Sequence, residues 1–162
     1  SKKINKNLIN KTKLHFFNSL DKIIKFAKRY NVNIAIETEG SYYKSELLIM
    51  QKPEEYEEIF TKYSNNDLGI NLNIGHLNLS SKFYKFDKFE FIDYIKKYIV
   101  AIELSHNNGF EDQHLPLKSN AWYWKLIQDK RFRKIIKILE FRNTNVKKLV
   151  SNIQLFYQKY KK

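Results

Sequence analysis

Histidine and carboxylate side chains are concentrated in the loop that follows one apolar run, residues 98–104. This loop contains His106, Glu111, Asp112 and His114. Imidazole and carboxylate groups bind divalent metals and transfer protons in proteins. Loops at the carboxyl end of a parallel sheet are where α/β folds place such chemistry. The residue types therefore predict one wall of a metal or acid–base site.

Each of the four apolar runs of the chain ends in a polar side chain that could bind a cation. Because parallel strands have their carboxyl ends on one face of a sheet, these side chains are expected to converge. A single polar residue at one strand end would be interpreted as a surface charge. Polar residues at four successive strand ends favour a functional site. The set suits Mn, Mg, Fe or Zn bound by nitrogen and oxygen. The candidate ligands are Glu37, Asn73, His76, Glu103, Asp112, His114 and Glu140.

The apolar runs alternate with amphipathic segments, which predicts strands connected by helices. Strands separated by helices pair in parallel through right-handed crossovers. The predicted class is therefore α/β, a parallel (βα)4 arrangement with an extra N-terminal helix. Residues 1–13 are expected to form a polar tail, and residues 14–162 a single domain. The predicted strands are residues 32–36, 69–74, 99–104 and 135–139. The predicted helices are residues 14–30, 53–63, a helix that begins at Asp87, 121–130 and 145–160. Asn120 is the predicted N-cap of the helix at 121–130.

Length and composition narrow the class of protein. At 162 residues the chain fits one domain but falls short of an eight-stranded barrel, which needs about 250 residues. The absence of cysteine excludes disulfides and thiolate metal sites. No run of 18 apolar residues and no apolar signal core occur, so we expect a cytoplasmic protein without a membrane partner.

The formal net charge of +13 raises the question of a nucleic-acid partner. Only four of the 30 basic residues are arginine, and the lysines are scattered along the chain rather than clustered. Scattered lysines are typical of a solvated surface, although a basic field would also attract nucleic acid or a phosphorylated small substrate.

Four segments carry a recognisable pattern: IAIETEG at 34–40, INLNIGH at 70–76, DQHLPL at 112–117 with Trp124 following, and KILEF at 137–141. Together they resemble the xylose isomerase-like barrel superfamily, which includes sugar-phosphate isomerases and epimerases and endonuclease IV-type apurinic endonucleases. The resemblance covers residues 14–142 and corresponds to the last four strands of that barrel. It implies half of a TIM barrel, closed by a second copy in a homodimer or by a complementary half-barrel chain.

The resemblance implies one metal site at the strand ends. Glu37 and Glu140 match two glutamates that bind a divalent metal and exchange the substrate proton in the isomerases. Asn73 stands where the family has an aspartate ligand, and Glu103 where it has a histidine ligand. The result is an oxygen-only set with three negative charges, which favours Mg, Mn or Ca.

The resemblance also implies a second metal site. His76, Asp112 and His114 match the trio that holds one zinc in the endonuclease branch. Two imidazoles and one carboxylate with an open position are compatible with Zn, Mn or Fe. The glycines that usually follow the DxHLPL segment are replaced around residues 118–120, which departs from the family's phosphate-holding loop.

Three functions follow from these observations and remain open at the level of sequence. The first is metal-dependent isomerisation or epimerisation of a small sugar or sugar phosphate, with Glu37 and Glu140 exchanging the proton and His76 orienting a substrate oxygen. The second is a non-catalytic half-barrel that serves as a binding or assembly module. The third is a DNA repair nuclease acting at apurinic sites.

Overall fold

Four parallel strands form the sheet of this computed structural model, which describes residues 6–40 and 48–160. The strands are hydrogen-bonded in chain order, β1-β2-β3-β4, and every pairing is parallel. The predicted parallel α/β class is therefore confirmed. The strands are β1 (Ala35–Glu37), β2 (Gly69–Asn73), β3 (Ile99–Leu104) and β4 (Ile136–Leu139).

Helices connect the strands, as the alternation of apolar runs and amphipathic segments predicts. A short 3-10 turn, Lys130–Phe132, precedes β4. None of the helices in the described part of the chain combines the length and the apolar character needed to cross a membrane. The helices are α1 (Lys6–Arg29), α2 (Pro53–Lys62), α3 (Ile74–Tyr84), α4 (Lys88–Ile95), α5 (Tyr123–Ile127) and α6 (Val146–Tyr160).

Capping residues begin α2 and α4 where the sequence predicts. Pro53 occupies the first position of α2, where its missing N–H is not needed, and Glu55 accepts hydrogen bonds from the backbone before it. The Asp87 carboxylate accepts from the backbone N–H of Phe89 and Glu90 at 2.7 and 3.0 Å and so begins α4.

One face of the sheet is buried beneath the helices. Ile70, Leu72 and Ile102 are fully buried and belong to the same apolar cluster as Tyr56 of α2 and Ile92 of α4. These strand residues alternate with others that point to the opposite face, as the two-residue period of a strand requires. The core therefore lies between the sheet and its helices.

The opposite face of the sheet is open. Ile136 is 66% exposed and Ile138 is also exposed; both lie on β4, the edge strand that pairs with β3. The register places Glu103 beside Ile138 and Asn73 beside Glu103, so this face is apolar at its base and polar at the strand ends. A sheet closed into a barrel would cover these residues.

Helices α1 and α3 differ from the prediction. Helix α1 begins at Lys6, so residues 6–13, predicted as a tail, are helical. Helix α3 is not predicted at all. Its residues Leu77, Asn78 and Ser81 are buried on several sides, so the segment lacks the one-sided apolar pattern that marks a surface helix.

The predicted N-cap at Asn120 is wrong. Helix α5 begins only at Tyr123, and Asn120 lies in a turn before it. Aromatic side chains hold this segment instead: the Tyr123 hydroxyl accepts from Lys118 N at 2.7 Å, and Trp124 Nε1 donates to Lys118 O at 2.6 Å. Tyr123 and Trp124 are buried and belong to the apolar core.

Candidate metal centre

Five of the seven candidate ligands form a continuous chain of contacts at the carboxyl ends of the strands. His76 Nδ1 lies 3.2 Å from Glu37 Oε1, and His76 Nε2 lies 3.6 Å from Asp112 Oδ1. His114 Nε2 lies 2.9 Å from Asp112 Oδ1, and His114 Nδ1 lies 2.7 Å from Glu140 Oε2. The structure thus brings together residues from all four strand ends; their metal role stays a prediction.

His76 is held in the first turn of α3 by contacts on both sides of its ring. Its Nδ1 lies 2.9 Å from the carbonyl oxygen of Thr38, in the segment after β1. That segment passes so close that a Cβ placed on Gly40 would lie 2.7 Å from His76 Cα. Only a residue without a side chain fits there, and the imidazole is confined as a result.

The loop between β3 and α5 supplies Asp112 and His114. His114 is 2% exposed and has φ of +46°, a left-handed conformation that histidine adopts more readily than most residues but that still stores strain. The backbone secures it: Arg142 N donates to His114 O at 3.0 Å, and the next residue, Leu115, forms a two-bond bridge with His106. The surrounding structure thus fixes the position of the ring.

The imidazole of His76 lies between two carboxylates, those of Glu37 and Asp112. Burial disfavours the imidazolium of His76, but the neighbouring carboxylates of Asp112 and Glu37 outweigh it and raise the pKa of His76 to about 10. Burial likewise opposes ionisation of Asp112, yet His76, His114 and Arg142 lower its pKa to about 2. The close contact with His76 also lowers the pKa of Glu37. Both carboxylates are therefore ionised at neutral pH.

Three buried atoms in this cluster have no hydrogen-bond partner among the described residues: Asp112 Oδ1, His114 Nδ1 and Glu140 Oε2. The last two are only 2.7 Å apart, but they lack the alignment of a hydrogen bond. Buried polar atoms are rarely left without a partner, and two electron-pair-bearing atoms this close need a cation or a shared proton between them. The ligand atoms of His76, Asp112 and His114 also lie within 4.8 Å of one another. These residues fit a divalent metal with nitrogen and oxygen ligands.

Asn73 and Glu103 take a different arrangement from the predicted oxygen-only set. Asn73 Oδ1 accepts from Gly75 N at 3.0 Å and from His76 N at 3.1 Å, which caps α3. Asn73 Nδ2 donates to Glu37 Oε1 at 2.9 Å and to Glu103 Oε2 at 3.1 Å. In this arrangement the side-chain oxygen of Asn73 is hydrogen-bonded to the backbone at the start of α3.

The structure adds residues that the sequence prediction missed. Arg142, just after β4, places Nη1 3.2 Å from Asp112 Oδ2, and Asn71 Nδ2 donates to Glu103 Oε2 at 3.3 Å. Asn71 precedes Asn73 by one strand period, so alternation could have placed it on the same face. Of the remaining loop residues, His106 lies against Tyr123, and Glu111 is exposed.

The close passage of Gly40 gives the first prediction. We expect Gly40→Ala to weaken Zn²⁺ binding by about tenfold or more, because the new methyl group must displace His76. Losing a residue that orients a metal ligand typically lowers metal affinity by this factor. Isothermal titration calorimetry measures the affinity. Gly69→Ala is the matched control: its methyl group would meet Val100 at 2.5 Å at the other end of β2, which lowers stability but leaves affinity unchanged. Equal affinity for both variants and the wild type would contradict the prediction.

Two known proteins are similar to this chain over about half of their own length. A solved structure described as a D-tagatose 3-epimerase-like protein superposes with a TM-score of 0.73 at 20% identity, over 90% of this chain and 53% of that one. The uncharacterized protein MJ1311 of Methanocaldococcus jannaschii is 23% identical over 143 residues, covering 86% of this chain and 46% of the relative. The chain therefore spans about half the length of the proteins it matches.

The family comparison covers nearly the whole chain. The family described as xylose isomerase-like TIM barrel matches residues 5–159. This range contains all four strands and all seven candidate ligands. The fold of the D-tagatose 3-epimerase-like structure agrees with it, and the sheet has the order and direction expected for consecutive strands of such a barrel. This chain belongs to the xylose isomerase-like TIM barrel family.

Proposed function

We propose that this chain supplies the metal-binding half of an enzyme that isomerises or epimerises a small sugar or sugar phosphate. The observation that carries the proposal is the convergence of unpartnered buried atoms of Asp112, His114 and Glu140 at the strand ends. The family and the fold of an epimerase-like neighbour support a sugar-type substrate.

The proposed metal ligands are His76, Asp112 and His114, with Glu140 bordering the site. Two imidazoles and a carboxylate suit Zn, Mn or Fe. When bound, such an ion would polarise a substrate carbonyl and its neighbouring hydroxyl. Arg142 holds Asp112 from its outer side, at 3.2 Å, and so keeps the carboxylate in place.

Glu37 and Glu140 are the proposed proton-transfer groups. Both carboxylates are partly exposed toward the open side of the sheet, where a substrate would enter. His76 and Asn73 hold one oxygen of Glu37 and keep it ionised, so it can accept a proton from the carbon beside the carbonyl. Glu140, at the far strand end, would return a proton to the opposite face of that carbon.

Four further strands would close the barrel over this face. Because the matched proteins are about twice as long, we propose that the partner is a complementary half-barrel of the same family. Two copies of this chain would each bring a formal net charge of +13, and the repulsion between them disfavours a homodimer. The apolar base of the open face, Val100, Ile136 and Ile138, is the expected contact surface.

The test compares two carboxylate-to-amide variants on a panel of ketoses and ketose phosphates after loading with Mn²⁺ or Zn²⁺. We expect Glu37→Gln to lower turnover by about 10²- to 10⁴-fold, which is the contribution of a positioned base. Glu39→Gln makes the same change on the same segment, where the backbone oxygen of Glu39 accepts from Ser80, and should leave turnover unchanged. If Glu37→Gln keeps the turnover of the wild type, the proposed isomerisation or epimerisation is rejected. It is also rejected if the wild type shows no turnover either alone or with a complementary half-barrel.

A second candidate is hydrolysis of DNA at apurinic sites, favoured by the His76, Asp112 and His114 trio together with the basic charge. A metal centre next to a basic surface would suit a phosphodiester. Salt-dependent binding to abasic duplex DNA and metal-dependent nicking would support it. If the protein binds metal but neither reaction occurs, a non-catalytic half-barrel module becomes the better description.

A further inference from the structure

We propose that the carboxamide of Asn73 takes the place of a cation between Glu37 and Glu103. The strand ends would then hold a single metal centre, at His76, Asp112 and His114, rather than two. The inference rests on the proposed assignment of the metal to that trio. It concerns Glu37 and Glu103, the neighbouring carboxylates that do not bind this metal.

Every bonding position of the Asn73 amide is occupied. A primary amide offers two N–H donors and two oxygen lone pairs. The two donors go to Glu37 Oε1 and Glu103 Oε2, at 2.9 and 3.1 Å. The two lone pairs accept the backbone N–H groups of Gly75 and His76, at 3.0 and 3.1 Å. Asn73 is fully buried, so it has no atom left with which to bind an ion.

The orientation of this amide follows from the helix it caps. The N–H groups at the start of α3 require an acceptor, so the oxygen must face them. Turning the amide over would set its NH₂ against two N–H donors and its oxygen against two carboxylates. All four contacts would then be repulsive. The NH₂ therefore faces Glu37 and Glu103 as a consequence of the capping role.

The two carboxylates are also accommodated by other neighbours. Glu37 lies against His76, and Glu103 accepts from Asn71 Nδ2 at 3.3 Å. An aspartate at position 73 would keep an oxygen for the cap but would turn its second oxygen toward the two glutamates. That arrangement would require a cation.

The experiment is therefore Asn73→Asp, with the number of bound Mn²⁺ ions measured by titration calorimetry and by metal analysis after gel filtration. We expect one ion in the wild type and two in Asn73→Asp. In chelator the variant should melt below the wild type, and Mn²⁺ should raise its melting temperature more than it raises that of the wild type. Asn71→Asp is the matched control because it adds the same charge on the same strand beside Glu103. It should still bind one ion.

Two further variants separate the possible failures. His114→Asn should reduce the wild-type count to zero and the Asn73→Asp count to one. If the wild type binds no ion but Asn73→Asp binds one, the trio assignment fails and the present inference stands. A folded Asn73→Asp that binds no additional ion would overturn the inference. Should Asn73→Asp not fold, Glu103→Gln in the wild type decides: its ion count should stay at one, and loss of an ion would show that Glu103 is a ligand.

Discussion

Replacing His114 by asparagine should weaken Zn²⁺ binding by at least about 100-fold, more than the loss of a residue that merely orients a ligand. His114 lies in the contact chain between Asp112 and Glu140, and its Nδ1 is among the unpartnered buried atoms. Asparagine tolerates the left-handed backbone at φ of +46°, so this substitution removes the imidazole without adding backbone strain. Titration calorimetry with Zn²⁺ in a non-coordinating buffer measures the loss.

His106→Asn provides the control for this variant. The same loop carries His106, and its ring packs against Tyr123 rather than against the metal residues. We expect its Zn²⁺ affinity to equal that of the wild type, with circular dichroism confirming that both variants are folded. If His114→Asn binds Zn²⁺ as tightly as His106→Asn does, the proposed centre is not the binding site.

Ile102→Ala should lower the free energy of unfolding by about 2–5 kcal/mol, the usual range for removing a large aliphatic side chain from a core. Ile102 is fully buried in β3, an interior strand, against the helices that cover the sheet. A loss of this size is a large share of the 5–15 kcal/mol, roughly, that stabilises a typical domain. Urea unfolding followed by circular dichroism would measure it.

Ile136→Ala is the matched variant on the other face of the sheet. Ile136 lies in β4, paired with Ala101, and is 66% exposed on the open side. For the chain alone we expect Ile136→Ala to change the free energy of unfolding by no more than about 0.5 kcal/mol, as other surface substitutions do. When the proposed complementary half is present, the same substitution should become destabilising. Light scattering of the chain alone distinguishes a monomer from a dimer: a stable dimer that Ile136→Ala weakens would replace the proposed partner by a second copy.

Local sequence patterns were sufficient for the class of fold. Four apolar runs separated by amphipathic segments predict strands that pair in parallel, and the sheet order confirms this. Pro53 and Asp87 begin their helices as expected because capping depends only on adjacent residues. The sequence pattern also predicts that carboxylates and imidazoles at the strand ends lie close together, because parallel strands have their carboxyl ends on the same side of the sheet.

Other features depend on contacts between segments far apart in the chain, so only the tertiary structure decided them. Helix α3 is surrounded by other elements, which removes the one-sided pattern that would reveal it. The left-handed backbone of His114 is held by Arg142, from beyond β4. Sequence identifies Asn73 as a changed ligand, but whether its oxygen or its nitrogen faces the glutamates depends on the helix it caps. That orientation exists only once β1, β2 and β3 are in register, because Glu37 and Glu103 reach Asn73 from the neighbouring strands.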